Sequence, residues 1–267
     1  MKIGSKLFLK SFLLSFVVFA LIAVIILTSL YIDKIVVDPL KRESNVMIGL
    51  EHEGKLLSLT VINCDPDSNS IKFLPIPDNT LLPNGTVLQE TYKKDNVGDL
   101  RKTVEDMIGA KINRYLIISA DTLRDITNDV GTFVCQIHYQ FVYNGASCAG
   151  YHTMTGELAY QMFTYSEYDM TGVSFAEMGK SYMQDFLFKH ATPTSAENIS
   201  NALTSNHVFN SLTTNLSKNE ISKYCSFLTK YATLSNITLA LEGKTHLTSS
   251  KLYFTPANTK AENNIFK

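Results

Sequence analysis

Arginine is scarce: Arg42, Arg101, Arg114 and Arg124 are the only four in 267 residues. No block of Lys and Arg of the kind that follows a phosphate backbone occurs, which argues against nucleic-acid binding. Four cysteines, Cys64, Cys135, Cys148 and Cys225, are widely spaced. Without a C-x-x-C pair or a Cys/His cluster they do not make a zinc site. Cys135 and Cys148 flank a possible hairpin and could pair in an oxidising compartment, although buried free thiols are the expected state. The six histidines lack H-x-x-x-H spacing and read as structural or surface residues. No internal repeat and no long low-complexity linker divides the chain.

Charge is missing from the start of the chain. Residues 1–32 contain no Asp or Glu, and Ser11 to Ile32 carry no charge of either sign. As a helix this run spans about 33 Å, enough for a hydrocarbon core of about 30 Å. Lys2, Lys6 and Lys10 precede it and place the N-terminus in the cytoplasm. The exit "LTSLYIDK" has no Ala-x-Ala site, so an uncleaved anchor is expected rather than a signal peptide. The organisation is then a cytoplasmic basic segment (1–10), a transmembrane helix (11–32) and a connector (33–44). An extracytoplasmic domain (45–255) and a polar tail (256–267), expected to be mobile, complete it. Beyond the anchor, 21 basic residues face 25 acidic ones, a formal −4.

What is present is strand and helix in alternation. "NVMIGL" (45–50), "KLLSLTVIN" (55–63) and "SIKFLPI" (70–76) read as strands, the last two joined as an antiparallel hairpin by "CDPDSN". In "NVGDLRKTVEDMIG", Leu100, Val104, Met107 and Ile108 recur at helical spacing and Gly109 stops the run. "INRYLIIS" is a strand, "ADTLRDITNDVG" a short helix and "TFVCQIHYQFVY" another strand. "TGELAYQMFTY" reads as helix. Ser174 with Glu177 forms a capping box opening a helix whose Met178, Tyr182, Met183, Phe186 and Leu187 make an apolar stripe. Residues 191–206 have room for a short helix. A second box, Ser217 with Glu220, opens a helix to about Tyr231, and "NITLALEG" follows as a late strand. This order implies one α/β domain.

One short stretch is unusual. "LPIPDNT" (74–80) closes the third strand on two prolines, where pairing must stop because neither offers an N–H. Asp78, Asn79 and Thr80 then sit just past a strand's carboxyl end, a common ligand position in open α/β sheets. The plain alternative is a strand terminator with a solvated turn.

Taken in order, these pieces resemble the LytR-CpsA-Psr family. "NVMIGL" resembles its opening N-[IV]-L-L-[IL]-G strand, and "LSLTVINCDPDSNSIKFLPIPDNT" resembles D-T-x-x-L-x-x-[IV]-[ND]-P…S-I-P-R-D-T. "TLRDITNDVGTF" is similar to L-[IV]-D-x-[LIV]-G-G-V, and "MTGELAYQMFTYSEYD" to L-x-G-x-x-A-L-x-Y-x-R-x-R. "TTNLSKNEIS" matches the late T-N-[LIM]-[ST] helix start. No single motif is specific, but five in order behind an anchor are. The resemblance implies a three-layer α/β/α domain with a mixed sheet outside the membrane of a Gram-positive cell. It implies movement of glycopolymers from polyprenyl-pyrophosphate carriers to peptidoglycan, with arginines on the pyrophosphate and carboxylates on Mg²⁺ or acting as base.

The charged positions depart from that pattern. Asp78 stands where the family has Arg, and Asn79 where it has Asp. Leu57 and Ser58 replace an upstream Asp-Thr, Thr164 and Ser166 replace R-x-R, and "FAEMGKSYMQ" has no arginine where R-x-x-R-Q-Q would lie. The four remaining arginines match no family position and read as solvated surface residues.

Three readings follow. The chain is an active transferase using Asp65, Asp67, Asp78 or Asp169 for Mg²⁺; or a degenerate member with a lipid or glycan groove lined by its Met and aromatic stripes; or an interaction module for an active paralogue. The second and third fit the residues better. No cofactor is expected unless the chain is active. The expected partners are the membrane, a polyprenyl-phosphate lipid or wall glycopolymer, and an active paralogue of the family. For topology, protease added to intact protoplasts should digest residues 45–267; protection until lysis would reverse the orientation.

Overall fold

The computed structural model describes residues 40, 43–165, 174–231, 236–248, 251–258 and 264–266. The expected basic segment, the span 11–32 and most of the connector lie outside the described residues. Among the described residues no helix is long and apolar enough to cross a membrane.

Strands β1 (Ser44–His52) and β2 (Lys55–Asp65) pair antiparallel. Their link is Glu53-Gly54 with φ of 51° and 77°, the two left-handed residues that a type I′ hairpin turn needs. Strand β3 (Ser70–Pro75) pairs antiparallel with β2, as the sequence implied. Asp65 builds that turn, accepting from the N–H of Asp67 (3.0 Å) and of Ser68 (3.3 Å) and from the Ser68 hydroxyl (2.6 Å). A 3₁₀ turn (Leu88–Thr91) leads to α1 (Gly98–Ile108), which stops at Gly109 with φ 63°. Strand β4 (Arg114–Ser119) then runs parallel to β1.

Helix α2 (Ala120–Val130) is followed by β5 (Phe133–Tyr143) and β6 (Ala146–Met154), a separate two-stranded sheet closed by Asn144-Gly145. Four helices come next: α3 (Gly156–Thr164), α4 (Ala176–Lys189), α5 (Pro193–Thr204) and the short α6 (Asn206–Ser211). Two-residue β7 (Thr213–Thr214) precedes α7 (Lys218–Tyr231), then β8 (Asn236–Thr238) and the hairpin of β9 (Gly243–Thr248) and β10 (Lys251–Pro256).

The main sheet is mixed, in the order β7-β4-β1-β2-β3-β8. Period-two alternation gives it two apolar faces. Met47, Leu59, Val61 and Leu74 join Leu100, Val104 and Met107 of α1 in one buried cluster. Val46, Ile48, Ile62 and Cys64 face the other way, toward residues of α2, α4, α5 and α7. Helices therefore cover both faces.

Start signals were read with mixed success. Ser217 and Glu220 do form a reciprocal box: the Ser217 N–H donates to the carboxylate at 2.8 Å and the Glu220 N–H to the Ser217 hydroxyl at 3.3 Å. The late strand is shorter than expected, only Asn236–Thr238, because the residues after it leave the sheet. The β9–β10 hairpin, α6 and β7 carry little signal; every residue of β9 is exposed, so it lacks an apolar period. Cys135 lies opposite His152 and Cys148 opposite Phe141 on the β5–β6 ladder. All four thiols are free and buried.

The expected mobile tail is corrected at its far end. Phe266 is 2% exposed and packs into the α1-side cluster. The Ile265 N–H donates to the Ile108 carbonyl at 3.0 Å, and the Lys72 ammonium donates to the Phe266 carbonyl. Phe266 thus anchors residues 264–266 to the core. Phe266→Ala should cost about 3–5 kcal/mol of stability, read as a lower urea midpoint at unchanged slope.

Candidate functional site

The Pro75–Thr80 corner is buried rather than solvated. Asp78 is 3% exposed, Asn79 2% and Thr80 0%. Such a turn must place every backbone group, and it does so through distant partners. The Asp78 carbonyl accepts from Gln89, the Thr80 carbonyl from Leu88 and the Asn79 carbonyl from Phe254 of β10, at 2.8–3.2 Å. The Asn79 amide donates to the Leu252 carbonyl at 3.3 Å. The turn is thus clamped between the 3₁₀ segment and the C-terminal hairpin.

The Asp78 carboxylate points to the start of α4. Its Oδ1 accepts from the Ser174 hydroxyl at 2.7 Å and from the Phe175 N–H at 3.2 Å. Helix α4 has no side-chain cap from Phe175 itself, so a carboxylate 97 residues away takes the orphan donors and faces the positive end of the helix. This corrects the expected Ser174–Glu177 box. Ser174 Oγ does accept from the Ala176 N–H at 3.2 Å, but Glu177 turns outward to Lys180 at 2.5 Å. Burial pushes the Asp78 pKa up to about 7, against the opposing pull of Ser174 and the Phe175 N–H.

The other positions carried over from the family pattern are also committed to structure. The Ser58 hydroxyl donates to the Phe175 carbonyl at 3.2 Å, and Leu57 is half-buried. Thr164 donates to the Tyr160 carbonyl within α3 at 2.8 Å. Ser166 and Asp169 lie outside the described residues. Asp65 organises the far end of the β2–β3 hairpin, so Asp65 and Asp78 stand at opposite ends of that ladder. Among the described residues no group of three or more His, Cys, Asp or Glu is placed to hold a metal.

The described arginines are not the solvated residues expected. Arg114 forms a two-point pair with Glu220, at 2.7 and 2.8 Å. Arg124 pairs with Asp121 at 3.1 Å and Asp125 at 3.3 Å and lies over the Tyr160 ring. Arg101 is on α1, across the sheet from α4. Arg42 is outside the described residues.

Two spaces adjoin the corner. A cleft of about 310 Å³ is lined by Pro75, Pro77, Asn79, Tyr139, Glu177 and Phe254 among others; its described lining includes no Lys or Arg. A cavity of about 150 Å³ lies between the sheet and α2, α4, α5 and α7, and every lining residue is aliphatic, aromatic, Met or Cys. A small lobe of about 40 Å³ shares Ile48, Ile118, Leu123, Tyr182 and Met183 with it and reaches Ser58 and Gly179. Sequence reasoning located Asp78 and the apolar stripe. It missed Phe175, Leu252 and Phe254, whose part in the site comes only from tertiary proximity.

No family model matches the chain. It is 26% identical over 120 residues to the Bacillus subtilis "polyisoprenyl-teichoic acid–peptidoglycan teichoic acid transferase TagV", 40% of this chain and 31% of the relative. A TagU transferase of Bacillus mycoides is 26% identical over 178 residues, 64% of this chain and 58% of the relative. The crystal structure of B. subtilis TagV matches at a TM-score of 0.63 and 18% identity, over 81% of this chain and 91% of that chain. These likenesses support a domain of the LytR-CpsA-Psr type. The chain nonetheless matches only about a third to three-fifths of the length of the curated relatives. At the corner, Asp78 puts a carboxyl where the resembled motif has Arg, an exchange of sign.

That exchange has a signature in pH. In the fold Asp78 holds its proton up to about pH 7, whereas its ordinary value is 3.8. Between those values folding takes up a proton, so its contribution to stability falls as pH rises from 4 to 7. Wild-type stability should therefore decline relative to Asp78→Asn across that window in urea titrations. A pH-independent difference would contradict the assignment.

Proposed function

We propose that this protein is a membrane-anchored, extracytoplasmic LytR-CpsA-Psr protein that holds the tail of a polyprenyl-linked glycopolymer without transferring the polymer. The observation that carries this reading is the engagement of Asp78, Ser58 and Thr164 in hydrogen bonds that build the fold. A pyrophosphate spreads charge over many oxygens and is best met by convergent guanidinium groups. Here the corner offers a buried carboxyl, the cleft a glutamate, and Arg114 and Arg124 are held by acidic partners elsewhere.

Each charge-assisted hydrogen bond is worth about 1.5–3 kcal/mol, so losing several weakens pyrophosphate binding by orders of magnitude. Transition-state stabilisation falls with it, since phosphoryl transfer depends on positioning and electrostatics. The Mg²⁺ that an active transferase would use does not fit the donors present: Asp78 is consumed as a cap, and Asp65 is at the other end of its hairpin. The apolar cavity, by contrast, suits a hydrocarbon tail, and the uncharged run 11–32 would hold the domain beside the bilayer that supplies one. Supporting an active paralogue is the role that follows.

The full-length chain should co-purify with or bind a polyprenyl phosphate. It should transfer no pyrophosphate-linked glycan to peptidoglycan with Mg²⁺ or Mn²⁺. Robust transfer that disappears in Asp78→Ala would refute the proposal. Asp78→Arg with Asn79→Asp should not create activity, and should destabilise the domain by removing the α4 cap and burying a cation.

A further inference from the structure

Residues 130–156 contain no Asp, Glu, Lys or Arg, in a chain where those four types make up 18%. The run is longer than the uncharged segment 11–32, and it covers the whole β5–β6 hairpin. Successive side chains of a strand point to opposite faces. Phe133, Ile137 and Phe141 are buried on the inner one. Phe133 meets the rings of Tyr182 and Phe186 of α4 at 4.9 and 5.4 Å, which fixes the hairpin against that helix. On the outer face Val134 stands opposite Thr153, Gln136 opposite Tyr151, and Val142 opposite Ser147. All six are exposed, Val134 at 58%, Val142 at 50% and Tyr151 at 74%. Of the six large apolar side chains exposed among the described residues, three are on this face. Single exposed apolar residues are ordinary, but several gathered on one face mark a contact surface.

The hairpin is also unguarded. Among the described residues β6 has β5 on one side and no comparable neighbour on the other. Such edges are usually protected by Lys, by Pro or by an inward charge, and β6 has none of these. Gly150, with φ 79°, interrupts its extended backbone, so a long strand pairing is not what β6 offers. The outer face is. Its charge says what fits there. An interface about a two-fold axis sets a patch against its own copy, where a charge of either sign would meet its like. Recognition of a different protein draws on complementary charge, and this face has none to offer. Beyond residue 32 the chain is acidic, with 21 basic residues against 25 acidic ones. Two copies meeting by other surfaces therefore tend to repel.

We propose that the outer face of the β5–β6 hairpin is a self-association surface, on which a second copy of this chain docks by the same face about a two-fold axis. A two-stranded face nine residues long measures about 30 by 10 Å, at the small end of protein interfaces. The dimer is accordingly weak and depends on concentration. None of the six outer residues lines the corner cleft or the apolar cavity, so the surface and the reading of those sites stand or fall separately.

The test is sedimentation velocity of the full-length chain in detergent over a range of concentrations. Wild type should pass from monomer to dimer as concentration rises. Tyr151→Glu and Tyr151→Lys each set like charges together at the two-fold and should weaken the dimer about tenfold or more. An equimolar mixture of the two variants should regain association at or above the wild-type level. Because Tyr151 is exposed, both variants should keep the wild-type urea midpoint, which separates lost docking from a lost fold. Leu247→Glu, on exposed β9, should leave association unchanged. A monomer at every concentration, or a dimer indifferent to both charges at Tyr151, would overturn the proposal. Two variants that stay monomeric when mixed would overturn the two-fold arrangement.

Discussion

The carboxyl of Asp78 joins three parts of the domain that have no other reason to meet at one point. Its backbone belongs to the turn that ends β3, its side chain completes the start of α4, and its neighbour Asn79 receives the C-terminal hairpin. The start of a helix leaves N–H groups in need of acceptors. Ser174 takes that of Ala176 and the buried Asp78 that of Phe175, and the desolvation of Asp78 pushes its pKa up to about 7. An arginine at this position could not take the Phe175 N–H. The corner of this chain is committed to the start of α4.

The fold as a whole depends on this corner less than the corner depends on the fold. The layers rest on patterns that many residues satisfy: alternation in β1 and β2, the stripe along α4, the glycine that ends α1. A likeness at 18% identity is compatible with all of these. The corner rests instead on a handful of particular side chains. Ser58 and Asp78 hold residues 174 and 175 through hydrogen bonds, which ties them to stability.

Much of the fold was legible because it is local. The Asp65 turn, the Gly109 stop and the Ser217 box are each written within a few residues. The Pro75–Pro77 corner announced a strand end, and a strand does end there. The site was legible only by position. Nothing near Asp78 in the chain foretells Phe175, and nothing in the polar run around "KTHLT" foretells a hairpin whose Phe254 closes the corner. Ser174 was read as half of a box with its neighbour Glu177. Its hydroxyl finds the buried Asp78 instead, and the exposed Glu177 pairs with the half-buried Lys180. The Arg114 and Arg124 pairs were missed for a related reason: one needs Glu220 from a distant helix, the other two aspartates on its own.

The anchoring of Phe266 bears on when the domain can finish folding. The four central strands of the sheet and α1 lie in the first half of the sequence, yet their shared core is plugged from residue 266, and Lys72 finds the Phe266 carbonyl across 194 positions. Contacts of such separation form late, because the intervening loop must close before they are rewarded. With synthesis at about 5–20 residues per second, the strands wait several seconds for the group that seals them. During that interval the chain presents an open apolar face, the kind of surface that chaperones and proteases recognise.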